Sequence, residues 1–275
     1  MKDNYALIGY PLGHSLSPQI HTRLFELAGI DFQYDLTEIK PEELKDKYAY
    51  LKTLRGFNIT IPHKIPIIGF CTELSEEAKR YESVNCVKNF DGKSVGYNTD
   101  CIGFVKSIEQ LGATLSSKVC LLGCGGVGRM MAVEAASRGA ELTIAVRKED
   151  IDIARSVAAE LKTIAPKNKT EVILLFEVKG GYDLVINATP LGMYPKTEGS
   201  ALQKEQLRDV KYLFDAVYNP KETTLSKYAK EMGVKASTGM AMLVLQAVAA
   251  HEIWTGSEYK QNDIDTLIKD MEELV

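Results

Sequence analysis

The chain has 275 residues, of which 45% are hydrophobic and 25% are charged, an ordinary composition for a globular protein with enough chain to bury a core. Its formal net charge of −4 argues against broad binding to nucleic acid or acidic membranes, since both favour a basic surface. The sequence contains no run of about 18 apolar residues, so it predicts no membrane span.

Cysteine usage indicates the compartment. The number of cysteines is odd, and the N-terminal apolar run is too short for a signal peptide, so we expect reduced thiols and a cytoplasmic protein. No two cysteines form a C-x-x-C pair and the four histidines are scattered, so we predict no structural metal. The cysteines are Cys71, Cys86, Cys101, Cys120 and Cys124.

The first hundred residues alternate between strand-like and helix-like segments. The segments YALIGY, FQYDLTEI and GFNITI predict three strands. In the third, polar Asn58 and Thr60 alternate with Ile59 and Ile61, which predicts a half-buried strand with its polar side chains on one face. The segment SVNCVKNFDGKSVGYNTD predicts a β-hairpin around its Asp-Gly dipeptide.

Helices in this part are predicted from their end signals. Ser17 followed by Pro18 predicts a helix start with Ser17 as the N-cap, and Gly29 marks the exit. Pro41 opens a second helix, and a third is expected over about residues 100–111.

From Lys118 onward the pattern becomes that of a parallel α/β sheet. Short apolar runs predict buried strands, with a glycine turn and helix after the first and a helix through Leu161 after the second. The segment GMAMLVLQAVAAHEIW and residues 263–274 predict two C-terminal helices. The pattern changes near residues 102 and 238 and thus predicts an α/β protein with two domains. The strand segments are KVCLLG, ELTIAVR, EVILLF, YDLVIN and KYLFDAV.

The turn GCGGVG fits the G-x-G-x-x-G pattern in the required context, between a strand and a helix. Gly123 permits the tight turn, Gly125 lets a pyrophosphate approach the backbone, and Gly128 lets the helix pack against the sheet. Free N–H groups at the helix N-terminus, from Gly126 and Val127 onward, would face the anion. We therefore predict dinucleotide binding; the alternative is a glycine-rich turn without a ligand.

The end of the next strand bears on which dinucleotide is bound. An acidic side chain there favours NAD through the ribose 2′-hydroxyl, whereas an arginine suits the 2′-phosphate of NADP. Arg147 and Lys148 occupy this turn, and Glu149 and Asp150 follow them, so the spacing allows either pair. We favour NADP; the alternative for Arg147 is an exposed loop charge.

Lys64 and Asp100 are candidates for acid–base chemistry. Reducing a carbonyl requires a group that delivers a proton to its oxygen, and the reverse reaction requires one that removes it. Lys64 follows the third strand among isoleucines, which we expect to pack beneath it; the alternative is an ordinary solvated lysine. Asp100 stands at a helix start, where the alternative role is an N-cap.

Ser15 and Ser17 flank Leu16 at the start of the first predicted helix. Their hydroxyls and the positive end of the helix together suit an anion. We predict that a substrate carboxylate binds there, with capping and binding sharing one location.

Eight short motifs occur along nearly the whole chain, in the order SLSPQIH, FNITIPHK, SVNCV, GYNTDCIGF, GCGGVGR, NATPLGM, DAVYNP and GMAMLVLQA. Together they resemble the shikimate dehydrogenase family. That family has an N-terminal α/β substrate domain, a Rossmann-type dinucleotide domain, and C-terminal helices that return to the first; the resemblance implies domains of residues 1–102 with 239–275 and of residues 103–238. It implies reversible NADPH-dependent reduction of 3-dehydroshikimate to shikimate, a step of aromatic amino acid biosynthesis, in a monomer or homodimer.

The resemblance also implies site residues. The catalytic pair would be Lys64 and Asp100. Without the resemblance, Gln246 would be interpreted as a satisfied core amide and Met242 as core packing. Substrate would be bound at its carboxylate by Ser15, Ser17 and Tyr218, and at its hydroxyls by Asn85, Thr60 and Gln246, with Asn58 and Thr99 in support. The cofactor would lie along Asn187, Ala188 and Thr189, with Gly239 and Met242 by the nicotinamide.

Two positions depart from the family pattern. The usual Asn-Arg-Thr at the 2′-phosphate turn is Val146-Arg147-Lys148 here, so two hydrogen-bonding side chains are replaced and Lys148 can compensate by charge. The usual Asn-Thr in the hairpin is Asn85-Cys86, and a thiol is a weaker hydrogen-bond partner than a hydroxyl. The alternatives are a quinate/shikimate dehydrogenase using NAD, an enzyme acting on an aminoshikimate, a folate-type dehydrogenase, and a dinucleotide-binding regulator without turnover.

Overall fold

The structure, a computed structural model, describes residues 2–13 and 15–275. Within these residues the strands form two six-stranded sheets. No helix in the same part of the chain is long and apolar enough to cross a membrane.

The chain divides into two compact units, each built around one sheet. The first unit comprises the chain up to Gly103 together with Val244–Met271. The second comprises Phe104–Leu243 and the last four residues, Glu272–Val275. The first unit is therefore assembled from two stretches that are far apart in sequence.

The sheet of the first unit is mixed. Its strands are β1 (Asp3–Gly9), β2 (Phe32–Glu38), β3 (Gly56–Ile59), β4 (Glu73–Leu74), β5 (Cys86–Phe90) and β6 (Lys93–Tyr97). Their order is β2-β1-β3-β5-β6-β4. Strand β1 runs parallel to β2 and β3, and β5 runs antiparallel to both β3 and β6. The carboxyl ends of β1 and β3 thus lie side by side.

The predicted hairpin is confirmed. Phe90 pairs with Lys93, which leaves a two-residue turn of Asp91 and Gly92 with φ angles of 50° and 75°. Positive φ at both central residues is the geometry for which an Asp-Gly dipeptide is favoured.

The sheet of the second unit is entirely parallel, as predicted. Its strands are β7 (Lys118–Leu122), β8 (Glu141–Val146), β9 (Lys169–Leu174), β10 (Leu184–Asn187), β11 (Tyr212–Asp215) and β12 (Lys235–Thr238). The order β12-β11-β10-β7-β8-β9 reverses direction at β7, as in a doubly wound dinucleotide-binding sheet. Strands β7 and β10 are apolar because both faces of a parallel sheet are covered.

Helices occur where the end signals predicted them, with two differences. They are α1 (Ser17–Ala28), α2 (Leu44–Leu51), α3 (Glu76–Tyr81), α4 (Asp100–Leu111), α5 (Gly126–Ser137), α6 (Ile151–Ile164), α7 (Thr224–Glu231), α8 (Gly239–Thr255) and α9 (Gln261–Glu272). Pro41 opens the 3₁₀ turn Pro41–Glu43, so α2 begins only at Leu44. The N-cap assignment of Ser17 is wrong, since Ser17 is already helical and Leu16 is the cap residue.

The C-terminal half of α8 completes the core of the first unit. Trp254 packs on Tyr5 and donates its indole N–H to the Val87 carbonyl at 2.9 Å. A Cβ at Gly56 would lie 2.3 Å from the indole nitrogen, so only glycine lets β3 approach this ring. The sheet that carries Lys64 is therefore buttressed by residues from near the end of the chain.

Candidate functional site

Lys64 and Asp100 form a close ion pair in the first unit. The Nζ of Lys64 lies 2.6 Å from Oδ2 of Asp100, and the two side chains are 26% and 17% exposed. Asp100 begins α4, but the side-chain oxygen that accepts a backbone N–H at this helix start is that of Asn98, 3.3 Å from the Cys101 nitrogen. The carboxylate of Asp100 is thus directed to Lys64 rather than used as a cap.

A buried amide network holds the second oxygen of Asp100. The Nδ2 of Asn85 donates to Oδ1 of Asp100 at 2.9 Å, to Oγ1 of Thr99 at 2.9 Å and to Oε1 of Gln246 at 3.3 Å. The Oδ1 of Asn85 accepts the backbone N–H of Thr99 at 2.6 Å. Four residues that the sequence predicted for the site therefore contact one another directly, and together they fix the orientation of the carboxylate.

Asn58 and Thr60 lie beside this network at the end of β3. Asn58 is buried and donates to the Asn85 carbonyl at 3.4 Å, while its Oδ1 accepts the hydroxyl of Tyr34 at 2.9 Å. Thr60 lies just beyond the strand and is half-buried. Sequence reasoning did not identify Tyr34, which orients Asn58 from the neighbouring part of the sheet.

The prediction of a half-buried third strand is wrong. All four residues of β3 are buried, and the strand ends at Ile59 rather than continuing through Ile61. Of the isoleucines near Lys64, Ile61 is 73% exposed and Ile65 is 68% exposed, whereas Ile59 and Ile67 are buried. Hydrogen bonds offset the cost of burying the Asn58 amide, but the partners are distant in sequence. From the sequence alone, Asn58 therefore looked like a solvated position.

The loop that leads to Ser15 and Ser17 runs beside Thr60. A Cβ at Gly9 would lie 2.4 Å from Cγ2 of Thr60, so glycine is needed where this loop leaves β1. The Oγ of Ser15 accepts the backbone N–H of Ser17 at 3.2 Å. Ser15, and not Ser17, therefore supplies the hydroxyl that satisfies a backbone donor at the start of α1.

The glycine turn of the second unit has the geometry that the motif requires. Gly123 has a φ of +86°, and a Cβ at Gly128 would lie 2.7 Å from the Gly123 carbonyl oxygen. A Cβ at Gly125 or Gly126 would meet nothing within 4 Å, so the backbone there is open to a ligand. Gly125 caps α5 and Val127 is exposed in its first turn.

The segment Asn187-Ala188-Thr189 follows β10 and lies against this turn. A Cβ at Gly123 would lie 2.8 Å from Cγ2 of Thr189, which places the ends of β7 and β10 in contact. The Oδ1 of Asn187 accepts the Oγ1 hydroxyl of Thr189 at 2.7 Å and its backbone N–H at 3.1 Å. These two loops border the point at which the strand order reverses, where doubly wound sheets bind ligands.

Arg147 and Lys148 follow β8, and both are exposed. The guanidinium of Arg147 contacts Asp150 at 2.9 Å and Glu149 at 3.3 Å. The carboxylates of Glu149 and Asp150 thus neutralise the charge of Arg147 within the same turn.

The remaining predicted residues, Tyr218, Gly239 and Met242, lie in the second unit. Tyr218 is half-buried, and burial raises the pKa of its hydroxyl. A Cβ at Gly239 would lie 2.1 Å from the Ala216 carbonyl oxygen, so α8 begins against the loop that carries Tyr218. Met242 is half-buried in the first turns of α8.

Comparison with known proteins gives the family. A family model described as the shikimate dehydrogenase substrate binding domain matches residues 7–87. A shikimate dehydrogenase (NADP(+)) of Bacillus cereus is 36% identical over 260 residues, which cover 93% of this chain and 94% of that protein. The chain belongs to the shikimate dehydrogenase family.

Solved structures of the shikimate dehydrogenase family have the same fold. A crystal structure of a shikimate dehydrogenase in complex with NADP+ superposes with a TM-score of 0.91 at 35% identity, covering 98% of this chain and 96% of the other. A shikimate 5-dehydrogenase of Listeria monocytogenes in complex with shikimate and NAD gives a TM-score of 0.88 at 29% identity, with coverages of 98% and 96%.

Of the residues that depart from the pattern of the shikimate dehydrogenase family, Val146 and Cys86 are buried and Lys148 is exposed. Val146 ends β8 inside the second unit, so its side chain is a core contact. Cys86 belongs to the apolar cluster around Tyr5 and Trp254, and burial raises the pKa of its thiol.

Proposed function

We propose that this protein is an NADP-dependent shikimate dehydrogenase that reversibly reduces 3-dehydroshikimate to shikimate. The observation that carries the proposal is the Lys64–Asp100 ion pair, anchored by the Asn85 amide in a member of this family. A pair of this kind can exchange a proton with a substrate oxygen, which is what carbonyl reduction requires of the protein.

The second unit fits the dinucleotide. The open backbone at Gly125 and Gly126, at the N-terminus of α5, suits a pyrophosphate, and Thr189 lies against the same turn at Gly123. Arg147 and Lys148 would hold the 2′-phosphate. When bound, NADPH supplies the hydride.

Proton transfer is the task of the first unit. In the reductive direction the Lys64–Asp100 pair donates a proton to the carbonyl oxygen, and in the oxidative direction it accepts the proton of the hydroxyl. Asn85 keeps Oδ1 of Asp100 occupied, so Oδ2 stays on Lys64. The ammonium group is thereby held in one position instead of moving with a free side chain.

Substrate recognition would use an anion site and several hydroxyl partners. Ser15 and Ser17 bind the carboxylate with Tyr218, while Asn85, Thr60 and Gln246 bind the ring hydroxyls. Asn58 and Thr99 hold these groups in place through the contacts described above. A site that hydrogen-bonds hydroxyls rejects analogues that lack them, because its polar groups would be left unpaired.

The proposal is tested by a spectrophotometric assay of the full chain at mildly alkaline pH. Shikimate and quinate are each supplied with NADP+ and with NAD+, and kcat/KM is compared for the four combinations. Shikimate with NADP+ should give the highest value. Absence of turnover in all four would contradict the proposed activity.

We further propose that residues 1–102 with 239–275 form the substrate domain and residues 103–238 the nucleotide domain of a cytoplasmic monomer or homodimer. No disulfide joins the five cysteines within the described residues, which supports a reducing compartment. Light scattering during size-exclusion chromatography would give the oligomeric state. A larger assembly would contradict this part of the proposal.

A further inference from the structure

A fully buried carboxylate lies at the carboxyl end of β11 in the second unit. Asp215 is 0% exposed, and no lysine or arginine among the described residues forms an ion pair with it. Burial raises the pKa of this carboxyl, whereas hydrogen bonds from Thr223, Val217 and Asn187 lower it. A buried charge held by hydrogen bonds alone is costly, and so it needs an explanation.

The hydrogen bonds of Asp215 connect three separate segments. Its Oδ1 accepts Nδ2 of Asn187 at 2.8 Å and the backbone N–H of Val217 at 3.1 Å. Its Oδ2 accepts the hydroxyl of Thr223, the N-cap of α7, at 2.6 Å. One carboxylate therefore joins the loop after β10, the loop after β11 and the start of a helix.

Each of these loops carries residues that we place at the ligand. Asn187, oriented by Asp215, accepts both the hydroxyl and the backbone N–H of Thr189. Val217 precedes Tyr218, and its carbonyl accepts the backbone N–H of Gly239 at 3.0 Å. The two loops are also joined by the Ala216 N–H, which donates to the Asn187 carbonyl at 2.9 Å.

We infer that Asp215 is a positioning residue for nucleotide binding, which it supports by fixing the loops of Asn187–Thr189 and Ala216–Tyr218. It does not touch the ligand itself. The measurement of nucleotide binding that tests this inference rests on the proposed function. Strand β7 and the glycine turn separate these loops from β8 and Arg147, so the effect should not depend on the 2′-phosphate.

The test compares Asp215→Asn with Asp183→Asn in the full chain. Asparagine keeps the shape of Asp215 but turns an N–H group toward one of the three donors, which leaves buried donors unpaired. Asp183 precedes β10 at the opposite end of the same sheet, where it contacts Lys211. It is therefore a matched control for the chemical change.

Dissociation constants for NADP+ and NAD+ are measured by calorimetry. With Asp215→Asn, both should rise by about tenfold or more with their ratio unchanged, and Asp183→Asn should leave both near the wild-type values. A folded Asp215→Asn protein that binds both nucleotides as the wild type does would overturn the inference, and so would an equal rise with Asp183→Asn.

Two further measurements cover the remaining outcomes. If Asp215→Asn does not fold, Thr223→Val is measured instead, because it removes one hydrogen-bond donor to Asp215. Thr223→Val should weaken the binding of both nucleotides, whereas Thr223→Ser, which keeps the hydroxyl, should restore it. Wild-type affinity in Thr223→Val would overturn the inference. Amide hydrogen exchange at residues 187–191 and 216–218 should be faster in whichever of Asp215→Asn and Thr223→Val folds than in the wild type, and unchanged rates would also overturn it. Hydrogen exchange is measured without a ligand. If the wild-type chain binds neither nucleotide, that result contradicts only the proposed function, and the exchange rates still test the inference about Asp215.

Discussion

At the scale of the residue, the surroundings of Lys64 reverse the usual order of burial. The lysine is 26% exposed, whereas its apolar neighbours Ile61 and Ile65 are mostly exposed. Exposed apolar side chains so near in sequence to a mostly covered lysine are unusual, because lysine is normally the solvated residue. The ion pair with Asp100 accounts for the position of Lys64.

Replacing Lys64 with methionine should separate catalysis from stability. We expect kcat for shikimate oxidation to fall by about 10²- to 10⁴-fold, because the Lys64–Asp100 pair that exchanges the proton is broken. The free energy of unfolding should change by only about 0–1 kcal/mol, since the pair is partly exposed. Lys93→Met, which removes the exposed Lys93–Glu73 pair, is the control. A near-normal kcat in Lys64→Met would make Lys64 a surface charge.

Arg147 gives the second prediction at this scale. Arg147→Ala should raise the KM for NADPH about 10- to 100-fold more than that for NADH, because a charged hydrogen bond to the 2′-phosphate is lost. Asp150→Asn should lower the KM for NADPH, since it releases the guanidinium. Arg155→Ala, at an exposed arginine in α6, is the control. Equal changes for both cofactors would contradict the assignment.

At the scale of the element, the glycine turn and α5 approach each other closely. Gly128→Ala should destabilise the nucleotide-free protein by about 1–3 kcal/mol, because the added methyl would overlap the Gly123 carbonyl. Gly126→Ala, two residues earlier and in open space, should leave stability unchanged or raise it, since alanine favours the helix. Thermal melting of both variants checks the difference. Equal melting temperatures would show that α5 can shift away.

Elements were predictable from sequence where their signals are local. The hairpin, the limits of α4 and the parallel strands follow from turn dipeptides and apolar runs. The N-cap of α1 was assigned to Ser17 instead of Leu16. Ser15 and Ser17 are equally good local signals of a helix start, and only the backbone conformation shows that Leu16 is the cap residue. The buried strand β3 was mistaken for a half-buried one because the partners of Asn58, Tyr34 and Asn85, come from other strands or their ends.

The residues of the site were likewise predictable where a local sequence motif marks them. The direct contacts among Lys64, Asp100, Asn85, Thr99 and Gln246 join residues that the motifs had already singled out. Tyr34 and Asp215 were not identified, because each acts through another side chain and leaves no pattern of its own. A carboxylate directly after an apolar strand, as in YLFD, is the signal that could have indicated Asp215.

At the scale of the whole molecule, two buried histidines should make stability depend on pH. Nδ1 of His21 lies 3.0 Å from Nε2 of His251, whose Nδ1 lies 2.9 Å from the Tyr259 hydroxyl. Burial lowers the pKa of His251 to about 3, and burial together with His251 lowers that of His21 well below its usual value. Both imidazoles are therefore neutral in the folded chain near pH 6.

Below about pH 6.5 the unfolded chain binds protons that the folded chain does not, so the free energy of unfolding should fall as the pH falls. For each histidine, the free energy of unfolding falls by up to about 1.4 kcal/mol per unit decrease in pH, until the pH reaches the pKa of that histidine in the folded chain. His21→Phe keeps a ring stacked on Tyr34 and should reduce this slope by about one proton. Urea unfolding at several pH values measures the slope, and an unchanged slope would contradict the assignment.

The division of the first unit into two stretches has a consequence for synthesis. Phe104–Leu243, about 140 residues, leave the ribosome between the two stretches, which takes roughly 7–28 s at about 5–20 residues per second. During that time the nascent sheet lacks Trp254, and the ring of Tyr5 has no indole cover. The Lys64–Asp100 pair can form early, but Gln246 reaches it only when α8 has been made. The core of the first unit is thus closed only after α8 has been made, later than the residues of the acid–base pair.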